Sequence, residues 1–378
     1  MTEIPATMRQ LRSLVTPERE LRLSVEAVDT PPPGEREVLV RVEAAPVNPS
    51  DLGLLLAMAD VSQAVAGGSL DDPTVTAPIP EPVMRSLAAR VGEAMTVGNE
   101  GAGVVVAAGA SPEAEALLGH KVGFIGGATY GEYCLASPRM CLQLPEGANA
   151  VDGASSFVNP LTALGMVETM RNEGHTGLVH TAAASNLGQM LNRICLADGV
   201  PLVNIVRRPE HARLLREQGA VHVCDSNEPT FEADLVTALK NTKATLAFDA
   251  VGGGTLAGQI LNAMEAAIVA PDARYSRYGS DVHKQVYVYG ALDPRPIELR
   301  RRFGFAWGVG GWLLTPFLAR TSSEDLVRLR QRVAAELTTT FASHYTDQIS
   351  LREALDVETL QRYARQATGE KFLLRPQR

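Results

Sequence analysis

Hydrophobic and polar residues follow two different patterns in the two parts of the chain. Over about the first 150 residues, short stretches such as EVLVRVEAAPVN at 37–48 alternate between apolar and polar positions, and Gly- and Pro-rich pieces separate them. Alternation with a period of two is typical of strands that are buried on one side. This part of the chain therefore predicts a small, barrel-like β domain.

From Leu178 onward, candidate strands alternate with candidate helices. The strand-like segments are LVHTA, PLVNIV, VHVC, ATLAFDAVGGG and QVYVYGALD, and the helix-like segments between them include LGQMLNRICLADG and PEHARLLREQG. Pro209 lies near the start of one predicted helix, and Gly199 and Gly219 end two of them. Repeated βα units predict a doubly wound parallel sheet with helices on both faces, so we expect the α/β class.

These patterns divide the chain into three segments. We predict a β-rich domain at 1–157 with an insertion at about 54–96, a βα domain at 158–320, and a segment at 321–378 that returns to the first domain. The first insertion is interpreted either as a lid or wall of the substrate site, or as a surface segment that could also form a dimer contact. A second insertion, at 267–284, is interpreted as a solvated loop or as a loop near a bound cofactor.

Composition excludes several classes of function. The chain has 378 residues, is 45% hydrophobic and has a mean hydropathy of -0.01, so it can build a full core. Its formal net charge is -8, which argues against non-specific binding to nucleic acid or to anionic membranes. No apolar run approaches the ~20 residues of a membrane span, and the N-terminal stretch lacks the apolar core of a signal peptide. We therefore expect a cytoplasmic protein.

The cysteines do not form a metal-binding pattern. None of Cys134, Cys141, Cys195 and Cys224 belongs to a CxxC pair, so a structural zinc site is not expected. We expect them to be reduced and mostly buried thiols.

The segment AAASNLG follows the first strand of the βα region. It places Ala183, Ser185 and Gly188 at the three glycine positions of the GxGxxG dinucleotide-binding turn. Small residues there still permit a tight turn, a close approach of the backbone to a pyrophosphate, and close packing of helix on strand. Ser185 and Asn186 can also donate hydrogen bonds to a phosphate at the helix N-terminus. The alternative is a small-residue turn that only packs the helix on the sheet.

The end of the second βα strand indicates which dinucleotide would bind. NAD-binding units place an Asp or Glu there for the ribose 2'-hydroxyl, whereas this chain has Arg207 and Arg208, with no acid before Glu210. A guanidinium group suits a 2'-phosphate, so NADPH is favoured over NADH. The alternative is a pair of solvated arginines.

Several of these segments together resemble the medium-chain dehydrogenase/reductase superfamily. The segments are VNPSDL, VGNEGAGVV, VNPLTAL, TAAASNLGQ, NIVRRP, EQGAVHV, FDAVGGG, YGALD and GEKFLL, in the order in which that family has them. The resemblance is strongest to the zinc-independent quinone oxidoreductases and the trans-2-enoyl thioester reductases. It implies a GroES-like catalytic domain built from the N-terminal part and the C-terminal tail, a Rossmann domain between them, and a homodimer.

The resemblance also implies roles for individual residues. Asn48 would hydrogen-bond a substrate oxygen, and Thr162 would lie beside the nicotinamide; their structural alternatives are an Asx-turn residue and a helix-start hydroxyl. The turn from Ala183 to Gly188, which includes Leu187, would hold the pyrophosphate. The remaining cofactor contacts implied by the resemblance are Asn159, Gly252, Gly290 and Lys371. Asn159 is alternatively a helix cap, and Lys371 a surface charge.

The sequence also departs from its relatives in informative ways. Zinc alcohol dehydrogenases have a Cys at the position of Asn48 and a His at that of Asn99, and asparagine is a poor zinc ligand, so no metal is predicted. Enoyl thioester reductases carry a tyrosine soon after the NPSD motif, which this chain lacks. Tyr130 is a candidate replacement as proton donor, with a core aromatic residue as the alternative.

We therefore predict an NADPH-dependent, zinc-independent oxidoreductase that transfers hydride to a quinone or a similar α,β-unsaturated carbonyl. One alternative is an enoyl thioester reductase that acts on an acyl-CoA or acyl-carrier-protein substrate. An alternative of another class is a non-catalytic NADPH-binding protein.

Overall fold

A computed structural model describes residues 3–69, 71–269, 276–367 and 369–378. Residue 70 of the first predicted insertion and residues 270–275 of the second lie outside this described part. The chain forms two compact units, one comprising Met1–Val158 and Gln331–Arg378, the other Asn159–Arg330. The second unit thus ends at Arg330, whereas the sequence pattern places the corresponding boundary at about 320.

The first unit is built mainly from strands. They are β1 (Thr7–Val15), β2 (Glu20–Asp29), β3 (Val38–Pro46), β4 (Val65–Gly68), β5 (Pro73–Pro78), β6 (Ala94–Thr96), β7 (Glu100–Ala108), β8 (Lys121–Ile125), β9 (Tyr133–Ala136), β10 (Cys141–Gln143), β17 (Asp347–Ile349) and β18 (Phe372–Leu374). One sheet has the order β4-β5-β2-β1-β6, and the other the order β10-β8-β7-β3-β18-β17, with β9 also paired to β3.

Strand β3 lies in the middle of the second sheet, and most of its residues are buried. It pairs antiparallel with β7, with β9 and with the C-terminal strand β18, in which Leu374 lies opposite Ala45. Burial of its valines and of β7 and β8 side chains forms one core with residues of β1 and β2. The C-terminal segment is thereby part of the same unit as the N-terminal strands.

The segment predicted as the first insertion extends the first sheet. Strand β5 pairs antiparallel with β2, β4 pairs with β5, and β6 pairs with β1 at the opposite edge. Helix α2 (Glu81–Leu87) lies between β5 and β6. The insertion therefore contributes three strands to this sheet.

The other helices of the first unit are short. They are α1 (Pro49–Leu56), α3 (Pro112–Glu115), α4 (Ala150–Gly153) and α12 (Val357–Ala364). Two longer helices, α5 (Val158–Asn172) and α11 (Ser323–Ala335), include the points where the chain passes from one unit to the other.

The second unit alternates strands and helices. Its elements are β11 (Leu178–His180), α6 (Asn186–Asp198), β12 (Leu202–Val206), α7 (Pro209–Glu217), β13 (His222–Asp225), α8 (Phe231–Thr242), β14 (Leu246–Asp249), α9 (Leu256–Ile268), β15 (Lys284–Val288), β16 (Trp307–Gly311) and α10 (Leu314–Arg320). All neighbouring strands are parallel, in the order β13-β12-β11-β14-β15-β16. The predicted α/β class is confirmed: the second unit has a doubly wound parallel sheet, and the first unit is β-rich.

The strand order reverses at β11. From β11 the chain moves outward through β12 and β13, and then returns to the other side of β11 with β14. Open α/β sheets bind their ligands outside the carboxyl ends of the strands at such a switch point. In this unit that position is occupied by the AAASNLG turn.

Helices α8 and α9 cover one face of the sheet, where their apolar side chains pack on residues such as Val179, Val203 and Val286. At the start of β15, the buried Lys284 ammonium group lies 2.6 Å from a Glu265 carboxylate oxygen of α9. Ser280 also donates hydrogen bonds to Glu265, so this ion pair attaches the described end of the second insertion to α9.

The structure also bears on the expectations about membrane spans and about the cysteines. Among the described helices, none combines the length and apolar character needed to cross a membrane. All four cysteines are buried, and none forms a disulfide within the described residues.

Candidate functional site

The AAASNLG turn connects β11 to α6 at the switch point of the parallel sheet. Ala182 adopts a left-handed conformation with φ of 50°, which lets the backbone leave the strand sharply. Ala183 N–H donates to the Ile205 carbonyl of β12, and Ser185 N–H donates to the Ala182 carbonyl. The bend is therefore closed by backbone hydrogen bonds although only one of its three motif positions is a glycine.

Gly188, the third motif position, has no space for a side chain. A Cβ atom there would lie 2.2 Å from the Ala183 carbonyl oxygen, well inside van der Waals contact. This matches the packing role of the third glycine in the dinucleotide-binding turn. Ala183 and Ser185 occupy the other two motif positions, and glycine is present at the position where a Cβ atom would not fit.

Ser185 is the N-cap of α6, because its side-chain oxygen accepts a hydrogen bond of 3.1 Å from Gly188 N–H. The Ser185 hydroxyl hydrogen is not needed for this cap. Leu187 lies in the first turn of α6, so its N–H has no acceptor within the helix. These two groups and the helix dipole make the bend suitable for an anion.

Arg207 and Arg208 follow β12, and both side chains are exposed. Arg208 lies 3.7 Å from Glu210, in an exposed ion pair of little energetic weight. The Arg207 carbonyl accepts a hydrogen bond from the Asn227 side chain, which holds the backbone at this point. Both guanidinium groups are therefore accessible to a ligand.

Asp249, at the end of β14, organises the next turn. Its buried carboxylate accepts hydrogen bonds from the Thr181 hydroxyl at 2.7 Å and from the backbone N–H groups of Val251 and Gly252. Gly252 has φ of 79°, and a Cβ atom there would lie 2.4 Å from the Gly290 carbonyl oxygen. The predicted cofactor residues Gly252 and Gly290 thus belong to two backbone segments in close contact.

In the first unit, Asn48 lies just before α1 and is buried. Its side-chain Nδ2 donates a 2.8 Å hydrogen bond to Oε1 of Glu100, the first residue of β7. The second oxygen of Glu100 accepts from Val158 N–H at 2.8 Å and from Phe157 N–H at 3.3 Å. A single buried carboxylate therefore contacts the Asn48 amide and the backbone at the start of α5.

Asp51 holds the backbone on both sides of this contact. Its carboxylate accepts hydrogen bonds of 2.9 Å from the N–H of Asn48 and from the N–H of Asn99. The Tyr130 hydroxyl lies 3.1 Å from the same carboxylate and 3.0 Å from the Pro46 carbonyl oxygen. Tyr130 is fully buried, and burial raises its pKa well above the usual value, an environment that favours the core-aromatic interpretation of this residue.

Lys371 precedes β18 and is partly buried. Its ammonium group donates a 2.7 Å hydrogen bond to the Ser155 hydroxyl, which also accepts one of 2.9 Å from Tyr345. Lys371 thus faces the interior of the first unit, beside the carboxylates of Asp51 and Glu100. It is neither a free surface charge nor aimed at solvent.

Burial changes the titration of this group of side chains, which we call the carboxylate cluster: Asp51, Glu100 and Lys371. It raises the pKa of Glu100 to about 7 and that of Asp51 to about 6, although Lys371 opposes both shifts. It lowers the pKa of Lys371 to about 8, against the attraction of the two carboxylates. Two acids and one base therefore titrate within a few pH units of neutrality.

Thr162 and Asn159 belong to the first half of α5. Thr162 is buried, and Asn159, in the first turn, is partly buried. The described residues place both on one helix, but no hydrogen bond of either side chain defines its role.

Glu100, Asp51 and Asp249 each accept several hydrogen bonds at these positions, and the sequence analysis assigned none of them a role. Each lies next to a segment that was singled out: Glu100 follows Asn99, Asp51 lies within VNPSDL, and Asp249 precedes the glycines of FDAVGGG. A charged residue inside a strand or helix start that is otherwise apolar is the signal that identifies them. Among the described residues, no group of three or more His, Cys, Asp or Glu side chains is placed to hold a metal ion.

Comparison with known proteins gives related results for both units. The alcohol dehydrogenase GroES-like domain family matches residues 34–146. A quinone oxidoreductase of Pseudomonas aeruginosa is 28% identical over 162 residues, which are 42% of this chain and 50% of that protein, so the alignment spans half of the relative's length. A mitochondrial enoyl-[acyl-carrier-protein] reductase of Xenopus tropicalis is 28% identical over 288 residues, 73% of this chain and 68% of that protein.

The fold matches solved structures over almost its full length. A Mesorhizobium loti protein assigned as an NADPH:quinone reductase is 25% identical, with a TM-score of 0.75, and the match covers 99% of this chain and 100% of that one.

Proposed function

We propose that the chain, whose residues 34–146 match the alcohol dehydrogenase GroES-like domain family and whose fold matches that of an NADPH:quinone reductase, is a zinc-independent medium-chain oxidoreductase that uses NADPH to reduce a quinone or a similar α,β-unsaturated carbonyl. The observation that carries the proposal is the bend at Ala183–Gly188, with Arg207 and Arg208 exposed at the end of the next strand. The names of the quinone reductase relatives support the same reaction.

The residues present fit a phosphorylated dinucleotide. Gly188 lets α6 pack closely on the backbone of Ala183, and the residues from Ala182 to Ser185 have small side chains, which suits the close approach of a pyrophosphate. Leu187 N–H and the Ser185 hydroxyl would hold the pyrophosphate, and Arg207 and Arg208 would hold the 2'-phosphate. Gly252 and Gly290 would allow the coenzyme to approach the backbone.

The bound coenzyme supplies the hydride, so the protein itself binds, orients and excludes water. Asn48 would donate a hydrogen bond to the substrate oxygen, and Thr162 would contact the nicotinamide ring. Lys371 is now better interpreted as the counter-charge of Asp51 and Glu100 than as a ligand of the coenzyme phosphate, because its ammonium group donates to Ser155. Cytoplasmic location and a homodimer complete the proposal.

A quinone is favoured over an enoyl thioester because the chain lacks the tyrosine that enoyl thioester reductases carry soon after the NPSD motif. Helix α1, which follows Asn48, contains no tyrosine, and the Tyr130 hydroxyl is already bonded to Pro46 and Asp51. A reduced quinone can take its protons from water. The similarity to the Xenopus enoyl reductase keeps an enoyl thioester as the second candidate.

Turnover with a panel of acceptors tests the proposed reaction. NADPH oxidation is measured with 1,4-naphthoquinone, further quinones, simple enones and crotonyl-CoA, each also with NADH. We expect naphthoquinone to be reduced faster than crotonyl-CoA, and NADPH to be preferred. The reverse order of acceptors supports the enoyl reductase, and NADPH binding without oxidation of any acceptor supports a non-catalytic protein.

Substitution of Arg207 tests the coenzyme assignment. Arg207→Ser removes one guanidinium group at the proposed 2'-phosphate position, and we expect kcat/KM for NADPH to fall by about tenfold or more while that for NADH is unchanged. The control is Arg213→Ser, an exposed arginine of α7 that makes only a weak ion pair with Glu217. An unchanged ratio of NADPH to NADH activity in Arg207→Ser would show that this arginine does not select the coenzyme.

A further inference from the structure

The side chain of Glu100 contacts two groups with different freedom to move. Its Oε2 accepts hydrogen bonds from the backbone N–H groups of Phe157 and Val158, which cannot rotate. Its Oε1 accepts from the Asn48 side-chain amide, which can turn by 180° about its last bond. The Asn48 side chain also takes part in a capping box with Asp51 at the start of α1, so the orientation of its amide depends on Glu100 on one side and on this cap on the other.

An ionised carboxylate can only accept hydrogen bonds. It therefore attracts the NH2 group of Asn48 and repels the carbonyl oxygen. One N–H of Asn48 is used by Glu100, and the second N–H remains for another acceptor. The two contacts of Glu100, at 2.8 Å to Asn48 and at 2.8 Å to Val158, leave the carboxylate itself little freedom to rotate.

We infer that Glu100 is a positioning residue, which fixes the Asn48 amide so that Asn48 presents an N–H donor, rather than its carbonyl oxygen, to the carbonyl oxygen of the substrate. This inference rests on the proposed function, because Asn48 is the residue proposed there to bind the substrate oxygen. It adds that recognition depends on a buried carboxylate that does not touch the substrate.

A neutral side chain at position 100 reverses this arrangement. The carbonyl oxygen of a glutamine must face the fixed N–H groups of Phe157 and Val158, so its NH2 group faces Asn48. Because that NH2 group can only donate, Asn48 must turn and offer its own carbonyl oxygen. The carbonyl oxygen of Asn48 then takes the place of its NH2 group, so the second N–H no longer lies where it does in the wild type, although the side-chain volume is unchanged.

Protonation of Glu100 has the same consequence, since the added O–H donates to Asn48. The charged and titratable groups that face Glu100 are Asp51 of α1, Lys371 before β18, and the hydroxyls of Tyr130 and Tyr345. Burial raises the pKa of Glu100 to about 7. Binding of a carbonyl ligand is therefore strong above this pH and is lost as the pH falls through it.

The test is a double-mutant cycle on ligand affinity, which requires no turnover. The binding of 1,4-naphthoquinone is titrated into protein saturated with NADP⁺, a coenzyme that cannot donate hydride. We expect Glu100→Gln and Asn48→Ala each to weaken binding by about tenfold or more, and the double variant to be no weaker than Asn48→Ala within about twofold. In wild type, affinity falls between about pH 8 and pH 6; in Glu100→Gln it is independent of pH, although Asp51 and Lys371 are still present.

The control is Glu146→Gln, the same chemical change at an exposed position of the first unit, which should match the wild type in affinity and unfolding midpoint. The inference is overturned if Glu100→Gln binds naphthoquinone as tightly as the wild type. It is also overturned if the affinity losses of the two single variants multiply in the double variant. Failure of the wild type to bind naphthoquinone overturns it as well. The turnover panel tests the proposed function separately. If the wild type binds the quinone as described but does not reduce it, this inference stands and the proposed activity is rejected. If Glu100→Gln does not fold, the pH dependence of wild-type affinity, compared with that of Asn48→Ala, decides the question.

Discussion

Two buried carboxyl groups lie within the carboxylate cluster, and their burial gives each residue a predictable effect on stability. The pKa of Glu100 rises from 4.5 to about 7 in the folded protein, so the folded state binds its proton more tightly than the unfolded state does. The stabilisation from this proton is fully present below pH 4.5 and is lost as the pH rises through about 7.

Glu100→Gln should therefore remove one component of the pH dependence of unfolding. Relative to wild type, we expect the variant to gain on the order of 2–3 kcal/mol in unfolding free energy between about pH 4.5 and pH 7.5. Denaturant unfolding at several pH values measures this difference. Asp51, whose pKa shifts in the same direction, remains in both proteins, and Glu146→Gln provides the surface control. Parallel pH profiles for wild type and Glu100→Gln would contradict the assigned burial of this carboxyl group.

The role of a single residue can be predicted from the sequence where the backbone geometry permits only one residue type. Gly188 is an example, because the third position of the turn admits no Cβ atom, and the sequence motif identifies it directly. Glu100 is the opposite case: its contacts to Asn48 and Val158 join residues that are 52 and 58 positions away in the chain. Such contacts follow from strand pairing in space, which a local pattern does not contain.

At the scale of elements, the start of α6 combines a structural and a proposed binding role in one side chain. Ser185 caps the helix by accepting from Gly188 N–H, and its hydroxyl hydrogen is proposed to reach the coenzyme phosphate. The first unit offers a matched comparison, because Ser111 caps α3 in the same way by accepting from Ala114 N–H at 3.3 Å.

Removal of each cap separates the two roles. Ser185→Ala and Ser111→Ala should each lower the free energy of unfolding by ~1 kcal/mol, the usual cost of a lost N-cap. Only Ser185→Ala should also weaken NADPH binding, by several-fold. Chemical denaturation and NADPH titration of both variants measure the two effects. Equal NADPH affinities in the two variants would mean that the Ser185 hydroxyl does not contact the phosphate.

The regular elements of the second unit could be predicted because their sequence signals are local. The helix that ends at Gly199 and the helix that begins at Pro209 both occur where the end and start signals place them. The elements of residues 54–96 were not predictable, since β4, β5 and β6 are short and their partners β1 and β2 precede them by many residues. The sequence interpretation of that segment as a lid or an excursion carried no information about this pairing.

At the scale of the whole molecule, the fold class follows from the change of hydrophobic period along the chain, and the order of the parallel strands agrees with it. Composition and charge restrict the class of ligand, but they do not name the electron acceptor. Acceptor choice depends on the shape and polarity of the substrate site, which residues from separate parts of the sequence create together. The homodimer stays a prediction for the same reason, because it depends on surfaces rather than on the core pattern.

The central claim concerns the coenzyme: a bend with one remaining glycine still binds the pyrophosphate of NADPH, and arginines at the next strand end bind its 2'-phosphate. The most direct measurement is a crystal structure of the protein grown with NADPH. We expect the pyrophosphate within hydrogen-bond distance of Leu187 N–H and the Ser185 hydroxyl, and the 2'-phosphate beside Arg207. Density for NADPH bound elsewhere, or an empty bend in crystals saturated with the coenzyme, would contradict the account.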